Sequence, residues 1–495
     1  MNNSVKKIVI VGGGTAGWIA AVALSRKLGA LLHISLIESD EIGTVGVGEA
    51  TIPPMRTFHK LMGVDEQEFM RATEATFKLG IEFENWGKPG DNYIHSFGKT
   101  GKETWLCEFH HFWLRARELG IAEDFGSYCF ELQAARQQRF ATSPTSDINF
   151  AYHLDATRYA KYFRKLSETN GVKRIEGKVT QVHQHQNNGF IQSVQLADGQ
   201  IIKGDLFIDC SGFRGLLIEQ TLHTGYEDWS HWLPCDSAIA VQTETISPAV
   251  PYTRAIAHES GWQWKIPLQH RVGNGLVFCS RFISDEDARS VLMKNIEGKT
   301  LIEPRFIKFK TGRRLKSWNK NCVALGLANG FIEPLESTSI HLIMMGVTRL
   351  MHLFPFSGIN DALTNEFNRL SQIEAEQLRD FIVLHYHATE RNDSPFWNYC
   401  RTMEIPETLK TRLDLFMSSA HAYQADGELF RVDSWTQVMF GQRIMPKQHH
   451  HLPNTMSEKD LKQFLTSMNA AIKKVVEQLP EHSDFVSQYC SSLNH

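Results

Sequence analysis

Three glycines at fixed spacing are the first residues of this 495-residue chain whose types imply chemistry. Gly12-x-Gly14-x-x-Gly17 follows the β-branched run Lys7-Ile8-Val9-Ile10-Val11 and precedes a helix-like stretch over 18–24. In that context the first glycine makes a tight turn, the second lets a pyrophosphate approach the backbone, and the third lets helix pack on strand. The N–H groups that open the helix, at Thr15 and Ala16, offer phosphate hydrogen bonds and a partial positive charge. A second strand, 33–37, ends at Glu38, 21 residues beyond Gly17. A carboxylate there accepts hydrogen bonds from ribose hydroxyls and disfavours a 2′-phosphate. The motif by itself leaves FAD and NAD open. Later segments favour FAD: Ile208-Asp209-Cys210-Ser211-Gly212 and the stretch 324–331, with Gly326 and Phe331, read as further strand ends returning to one long cofactor. No second glycine fingerprint for NAD(P)H is present.

Two other features carry reactive or shielding side chains. Lys78 is the only lysine between residues 61 and 87. Around it Phe77, Leu79, Ile81 and Phe83 alternate with Lys78, Gly80, Glu82 and Glu84, the period of one strand with Lys78 on the face opposite the aromatic residues. Lys78 is then either an ordinary lysine on the polar face of an edge strand or a buried ammonium that needs a partner or a lowered pKa. Trp262 and Trp264 share one face of a strand, as core or as a wall.

Gly46-Val47-Gly48-Glu49-Ala50-Thr51-Ile52-Pro53, Gly261-Trp262-Gln263-Trp264-Lys265-Ile266-Pro267 and Pro334-Leu335-Glu336-Ser337-Thr338 complete the set. With the glycine fingerprint and Lys78, they resemble the flavin-dependent tryptophan halogenase family. The resemblance covers about residues 5–350 well and the last third loosely. It implies reduced FAD, dioxygen and chloride or bromide as co-substrates. It implies an electron-rich aromatic substrate, indole- or tryptophan-like, halogenated through hypohalous acid held by Lys78. Attack on the ring makes a cationic σ-complex, and the resemblance makes Glu336 the carboxylate that stabilises it and takes the proton. Glu333 is the neighbouring acid, and the bland alternative for Glu336 is a cap on a helix starting near Ser337.

The same resemblance places halide at the helix-opening N–H groups of Thr338 and Ser339. Ser339 stands where many relatives carry glycine. FAD contacts are implied at Gly48, Glu49, Ala50, Val179, Asp209, Gly326, Phe331 and Ile340, beside Gly12, Gly14, Thr15, Ala16, Gly17 and Glu38. Trp262, Trp264, Ile266 and Pro334 become a wall between flavin and substrate, passable only by a small oxidant. His95 and Phe97 match positions that sandwich an indole, and Phe396 and Trp397 add aromatic surface. Ser394-Pro395-Phe396-Trp397 resembles the less specialised branch. The Tyr-Tyr…Glu…Phe-Trp-x-x-x-Asn pattern that clasps an amino-acid end in tryptophan-specific members is absent. A separate NAD(P)H-dependent flavin reductase and a homodimer are further implications.

These residues need elements to position them. The pattern predicts an α/β fold: an FAD-binding, Rossmann-like module assembled from discontinuous segments, a β-rich middle and a mainly helical substrate region. The expected division is 1–355 for the FAD-binding and catalytic module, with a β-rich insertion about 216–320, and 356–495 for the helical region. Helices are expected over about 64–75, 155–166 and 340–354. Strands are expected over 179–182 and 191–196, joined by an Asn-Asn-Gly turn, and over 206–209 and 323–326.

Composition narrows the classes. Lys and Arg total 52 and Asp and Glu 55, a formal charge of −3, which argues against a nucleic-acid footprint over the whole chain. The eight cysteines contain no CxxC pair, as expected of buried thiols in a reducing compartment. His110-His111 and His449-His450-His451 lack the spacing of a zinc site, so no metal is expected. Glycines interrupt the uncharged stretch 8–25, so no membrane span is expected and a cytoplasmic protein is. Two rivals remain: a flavin-dependent aromatic monooxygenase, in which the substrate meets the flavin directly, and a flavin-binding protein without turnover.

Overall fold

The structure, a computed structural model, describes residues 4–41, 48–102, 104, 106–143 and 146–491. Gly46 and Val47 of the expected glycine-rich motif lie outside the described residues. The chain forms two compact units, each drawn from three stretches. One comprises the N-terminal stretch to Ala75, Leu154–Ser230 and Lys308–Glu376; the other comprises Thr76–His153, His231–Ile307 and Gln377 to the C-terminal stretch. Both units therefore draw on residues before and after position 355.

The first unit is organised by a six-stranded sheet in the order Trp318–Asn319, Cys322–Ala324, Leu206–Asp209, Lys7–Val11, His33–Glu38, Lys173–Glu176. All pairings are parallel except that of Trp318–Asn319. Ile8, Val9, Ile10 and Val11 are all buried, which explains a continuous apolar run where a one-sided strand would alternate. Helix Thr15–Leu28 buries every residue from Gly17 to Ser25 and packs against helices Ala156–Thr169 and Ser339–His352. Asp155 caps helix Ala156–Thr169, its Oδ1 accepting from Arg158 N at 2.9 Å. Strands Val179–Gln184 and Ile191–Leu196 pair antiparallel as expected.

The second unit holds most of a seven-stranded sheet. Six neighbouring strands run in the order Ser237–Glu244, Arg271–Phe278, Gly261–Pro267, Tyr252–His258, Gly80–Glu84, Asn92–Ser96. Trp264 lies in register between Ala255 and Gly275. A Cβ at Gly275 would sit 2.0 Å from the Trp264 ring, so the glycine makes room for the indole. Helix Val432–Gly441 packs on strand Asn92–Ser96.

One expectation fails. The stretch 77–83 is two strands, Thr76–Lys78 and Gly80–Glu84, in different sheets. Thr76–Lys78 pairs with Ala151–Asp155, whereas Gly80–Glu84 pairs with Tyr252–His258 and Asn92–Ser96. Leu79, between them, donates its N–H to Pro251 O at 2.7 Å. Lys78 is fully buried and does not lie on an exposed polar face. Alternation continued across the break because Leu79 keeps the apolar phase while the backbone changes partners.

Among the described residues no helix is long and apolar enough to cross a membrane, and no cysteine is disulfide-bonded.

Gly275→Ala is expected to lower stability by about 1–3 kcal/mol through overpacking against Trp264, read from urea unfolding; an unchanged midpoint refutes the steric argument. Burial also holds several histidines neutral: His59 and His111 down to about 3, His110 and His482 down to about 4, and His153 well below its ordinary value. The unfolded chain protonates these groups near pH 6.5, so it binds more protons than the native chain just below that pH. Stability is then lost as pH falls from 6.5 to 5, by up to about 1.4 kcal/mol per unit per histidine. Burial raises the Glu49 carboxyl to about 7 and also raises Glu82, Asp91 and Glu131, which act in the opposite sense, but the histidines it lowers, with His258, His341 and His387, outnumber them eight to four. The urea midpoint should fall across this window, and a flat or rising midpoint contradicts the assignment.

Candidate functional site

In the first unit the glycine fingerprint is shaped by backbone crowding at two positions and by open space at a third. Gly12 has φ +115°, and a Cβ there would meet Cys210 O at 2.2 Å. A Cβ on Gly17 would meet Gly12 O at 1.9 Å. Around the Cβ position of Gly14 nothing lies within 4 Å. That is the room a pyrophosphate needs where Gly14 precedes helix Thr15–Leu28, whose start has no side-chain cap and no acid in its first turn. The residues present therefore fit the phosphates of FAD. Gly326, at φ +61°, closes on the same turn: its Cβ position is 2.9 Å from that of Ala16. Segments three hundred residues apart in sequence meet at this helix start, as the FAD reading expects.

Glu38 ends its strand beside this turn. Its Oε2 accepts from Trp18 Nε1 at 3.2 Å, and its Oε1 from Arg174 Nε at 2.5 Å and Arg164 Nη1 at 3.4 Å. Sequence reading missed these three anchors. It also missed Gly13, where a Cβ would lie 1.6 Å from Glu38 Oε2. The double glycine was the available signal, because the fingerprint itself leaves position 13 free.

Other cofactor candidates act at different depths. Asp209 is fully buried, and its carboxylate accepts from Ser211, Leu217 and Ile218 N–H at 2.9, 2.7 and 2.8 Å. It shapes the loop after its strand through the backbone. Val179 sits in an apolar core with Val9, Val11 and Ile37. Phe331 packs on Phe213 and Phe309 at the surface. Ile340 is buried in helix Ser339–His352. Gly48, Glu49 and Ala50 form a short strand, and desolvation raises the Glu49 carboxyl to about 7.

Glu336 closes a one-turn helix, Pro334–Glu336, with no exposed surface. Ser337 then turns left-handed at φ +59°, and Thr338 precedes helix Ser339–His352. Thr338 makes no side-chain capping bond, and the first turn carries no acid. The helix start thus leaves N–H groups available to an anion.

In the second unit, Lys78 Nζ lies 5.2 Å from the centroid of the Phe97 ring. Beside it, His153 is hydrogen-bonded on both ring nitrogens: Nδ1 to Thr76 Oγ1 at 3.0 Å and Nε2 to Thr253 Oγ1 at 3.0 Å. Thr76 Oγ1 spends its one proton on Pro267 O at 2.7 Å, so it must accept from His153 Nδ1–H. In the neutral ring, Nε2 is then the acceptor for Thr253. Burial first, and the Lys78 charge second, push its pKa the same way. This network ties the Lys78 strand to Pro267, the end of the Trp262–Ile266 string. Trp262, Trp264 and Ile266 are buried in that strand, with the two indoles 6.2 Å apart.

His95 is buried against Phe381 and Phe430, at 5.5 and 6.0 Å. Phe97 is half-buried. Phe396 and Trp397 have 0% exposure, as do Lys78 and Glu336, and the Trp397 N–H donates to His258 O at 2.7 Å.

Comparison with known proteins agrees with this architecture. Residues 7–458 match the tryptophan halogenase family. Among characterised relatives, tryptophan 7-halogenase RebH of Lentzea aerocolonigenes is 36% identical over 84% of this chain and 82% of its own. Tryptophan 6-halogenase ThaL of Streptomyces albogriseolus is 31% identical over 99% of both. Among solved structures, Xcc4156, a flavin-dependent halogenase from Xanthomonas campestris, superposes with a TM-score of 0.97 at 51% identity, covering 99% of each chain. BrvH, a flavin-dependent halogenase from Brevundimonas sp. BAL3, gives 0.95 at 41% identity, covering 98% of this chain and 99% of its own. With the glycine cradle fitted to FAD and the family matched across most of its length, the chain belongs to the tryptophan halogenase family as a flavin-dependent halogenase.

Proposed function

We propose that this halogenase delivers chloride or bromide as an electrophile to an indole-like aromatic ring, with Lys78 holding the oxidant and Glu336 taking the ring proton. Bound reduced FAD supplies the two electrons with which dioxygen converts halide to hypohalous acid. Thr338 and Ser339 offer N–H groups to the halide at a helix start. The Lys78 ammonium donates a hydrogen bond to the oxygen of hypohalous acid and polarises the oxygen–halogen bond. The ring carbon takes the halogen as that bond breaks. The oxygen leaves as water with a proton from the ammonium, and the displaced ring proton passes to the Glu336 carboxylate. Trp262, Trp264, Ile266 and Pro334 act as the wall that keeps flavin and substrate apart.

One observation carries the reading: a lysine with no exposed surface, its ammonium against an aromatic ring, beside a histidine whose pKa burial and the lysine charge hold well below the ordinary value. That is a site built to keep a reactive ammonium dry. The relatives named for tryptophan support an indole nucleus, and the missing amino-acid clasp favours an indole borne on another scaffold. The absence of an NAD(P)H fingerprint supports a separate flavin reductase, and eight cysteines without a disulfide support a cytoplasmic setting.

Incubation with FAD, a flavin reductase, NADH, bromide and a mixed indole library, read by mass spectrometry, should show bromine replacing ring hydrogen. Oxygen added without halide would favour hydroxylation. Lys78→Ala should abolish brominated product while FAD binding is retained; equal yield removes Lys78 from the mechanism. Glu336→Gln should slow product formation by at least about 100-fold. It should leave hypobromous acid formation, followed with a soluble trap, intact; unchanged product kinetics would sink its role.

A further inference from the structure

Phe97, whose ring covers the Lys78 ammonium, is held by its backbone from two sides. On one side its N–H donates to Leu79 O, next to Lys78, at 2.9 Å. On the other, one side chain of helix Val432–Gly441 grips the residues around it. Gln437 Oε1 accepts from Ser96 N at 2.8 Å and Ser96 Oγ at 3.2 Å. Gln437 Nε2 donates to Gly98 O at 3.2 Å and Thr100 Oγ1 at 3.0 Å. These four bonds use both amide protons and both oxygen lone pairs, and Gln437 is buried at 4% exposure. Reversing the amide would set an NH2 against the Ser96 N–H, so the orientation is fixed as well. Asp433, one turn earlier, accepts from Thr100 N at 2.8 Å, and Arg431 donates to Phe97 O at 3.4 Å. Gly98 is confined too: a Cβ there would meet Glu131 Oε2 at 2.0 Å.

A helix that needed only to pack would not turn a buried amide toward four partners on one five-residue segment. We propose that Gln437 is a positioning residue of the halogenase: it sets where the Phe97 ring meets the Lys78 ammonium, and so how tightly Lys78 retains hypohalous acid for the aromatic substrate. This rests on the assignment of Lys78 made above. Loss of the grip lets the 96–100 segment relax, moves the ring off the ammonium and frees the oxidant to escape.

The test is partition of the oxidant, which a merely structural role would leave unchanged. Gln437→Met keeps volume and removes all four bonds. The variant, with FAD, reductase, NADH, bromide and indole, should consume reduced flavin at the wild-type rate. Its bromoindole yield per flavin should fall about ten-fold. Bromination of the soluble trap monochlorodimedone should rise in step. Unchanged partition between indole and trap overturns the proposal. If Gln437→Met does not fold, Gln437→Glu, which keeps the two acceptor bonds and loses the two donor bonds, must show the same direction of change, and an unchanged partition there overturns it equally. Lys78→Met is run alongside. If it still yields bromoindole, the reading of Lys78 fails and the positioning role falls with it. If it is silent while Gln437→Met partitions normally, only the positioning role fails.

Discussion

A lysine ammonium enclosed without any exposed surface sets the terms for the second unit, because stripping water from a charge costs several kcal/mol unless the surroundings replace it. The Phe97 ring gives the Lys78 charge an electron-rich face. His153 is kept from becoming a second cation by burial first and by the Lys78 charge second, with a threonine hydroxyl on each ring nitrogen. The chain that supplies this environment comes from five separate stretches, around Thr76, Phe97, His153, Thr253 and Gln437. The change of sheet at Leu79 makes their convergence workable: Thr76–Lys78 is committed to the His153 strand, while Gly80–Glu84 joins the Phe97 strand. Gly80 permits that second pairing, since a Cβ there would strike His95 O at 2.5 Å.

The flavin cradle was legible because its signal is local. Turn, helix start and acidic strand end follow one another within forty residues, with Gly12 and Gly17 answering backbone crowding and Gly14 leaving open space. Gly326 and Asp209 were legible as strand ends returning to one place, although Asp209 proves to hold a loop and need not itself touch a cofactor. What could not be read is of another kind. Alternation around Lys78 continues unbroken through a strand switch, so periodicity gave one strand where there are two. Phe396 and Trp397 read in sequence as aromatic surface, and the packing of Tyr386, Trp86 and Phe282 around them could not be read there. Gln437 carries no sequence signal, because a glutamine in an amphipathic helix ordinarily faces water.

The proposed hypohalous acid would also constrain residues that take no part in the reaction. Thiolates are the forms of cysteine that such an oxidant attacks fastest, and Cys129 Sγ lies only 3.1 Å from Ser96 Oγ, one residue from Phe97. Its environment keeps the proton on: burial, aided by the Glu131 charge, raises the thiol to about 12. Cys107 is raised to about 11, and Cys210 and Cys322 are pushed well above the ordinary range, burial leading in each case. All eight thiols are buried. The same desolvation acts with opposite sense on the two kinds of group. It keeps these thiols protonated, and it makes the Lys78 charge dependent on the groups around it. On the proposed reading, a dry interior keeps the thiols protonated and Lys78 enclosed together, and the hydrogen bonds that seat Phe97 bear on the lysine through the ring beside it.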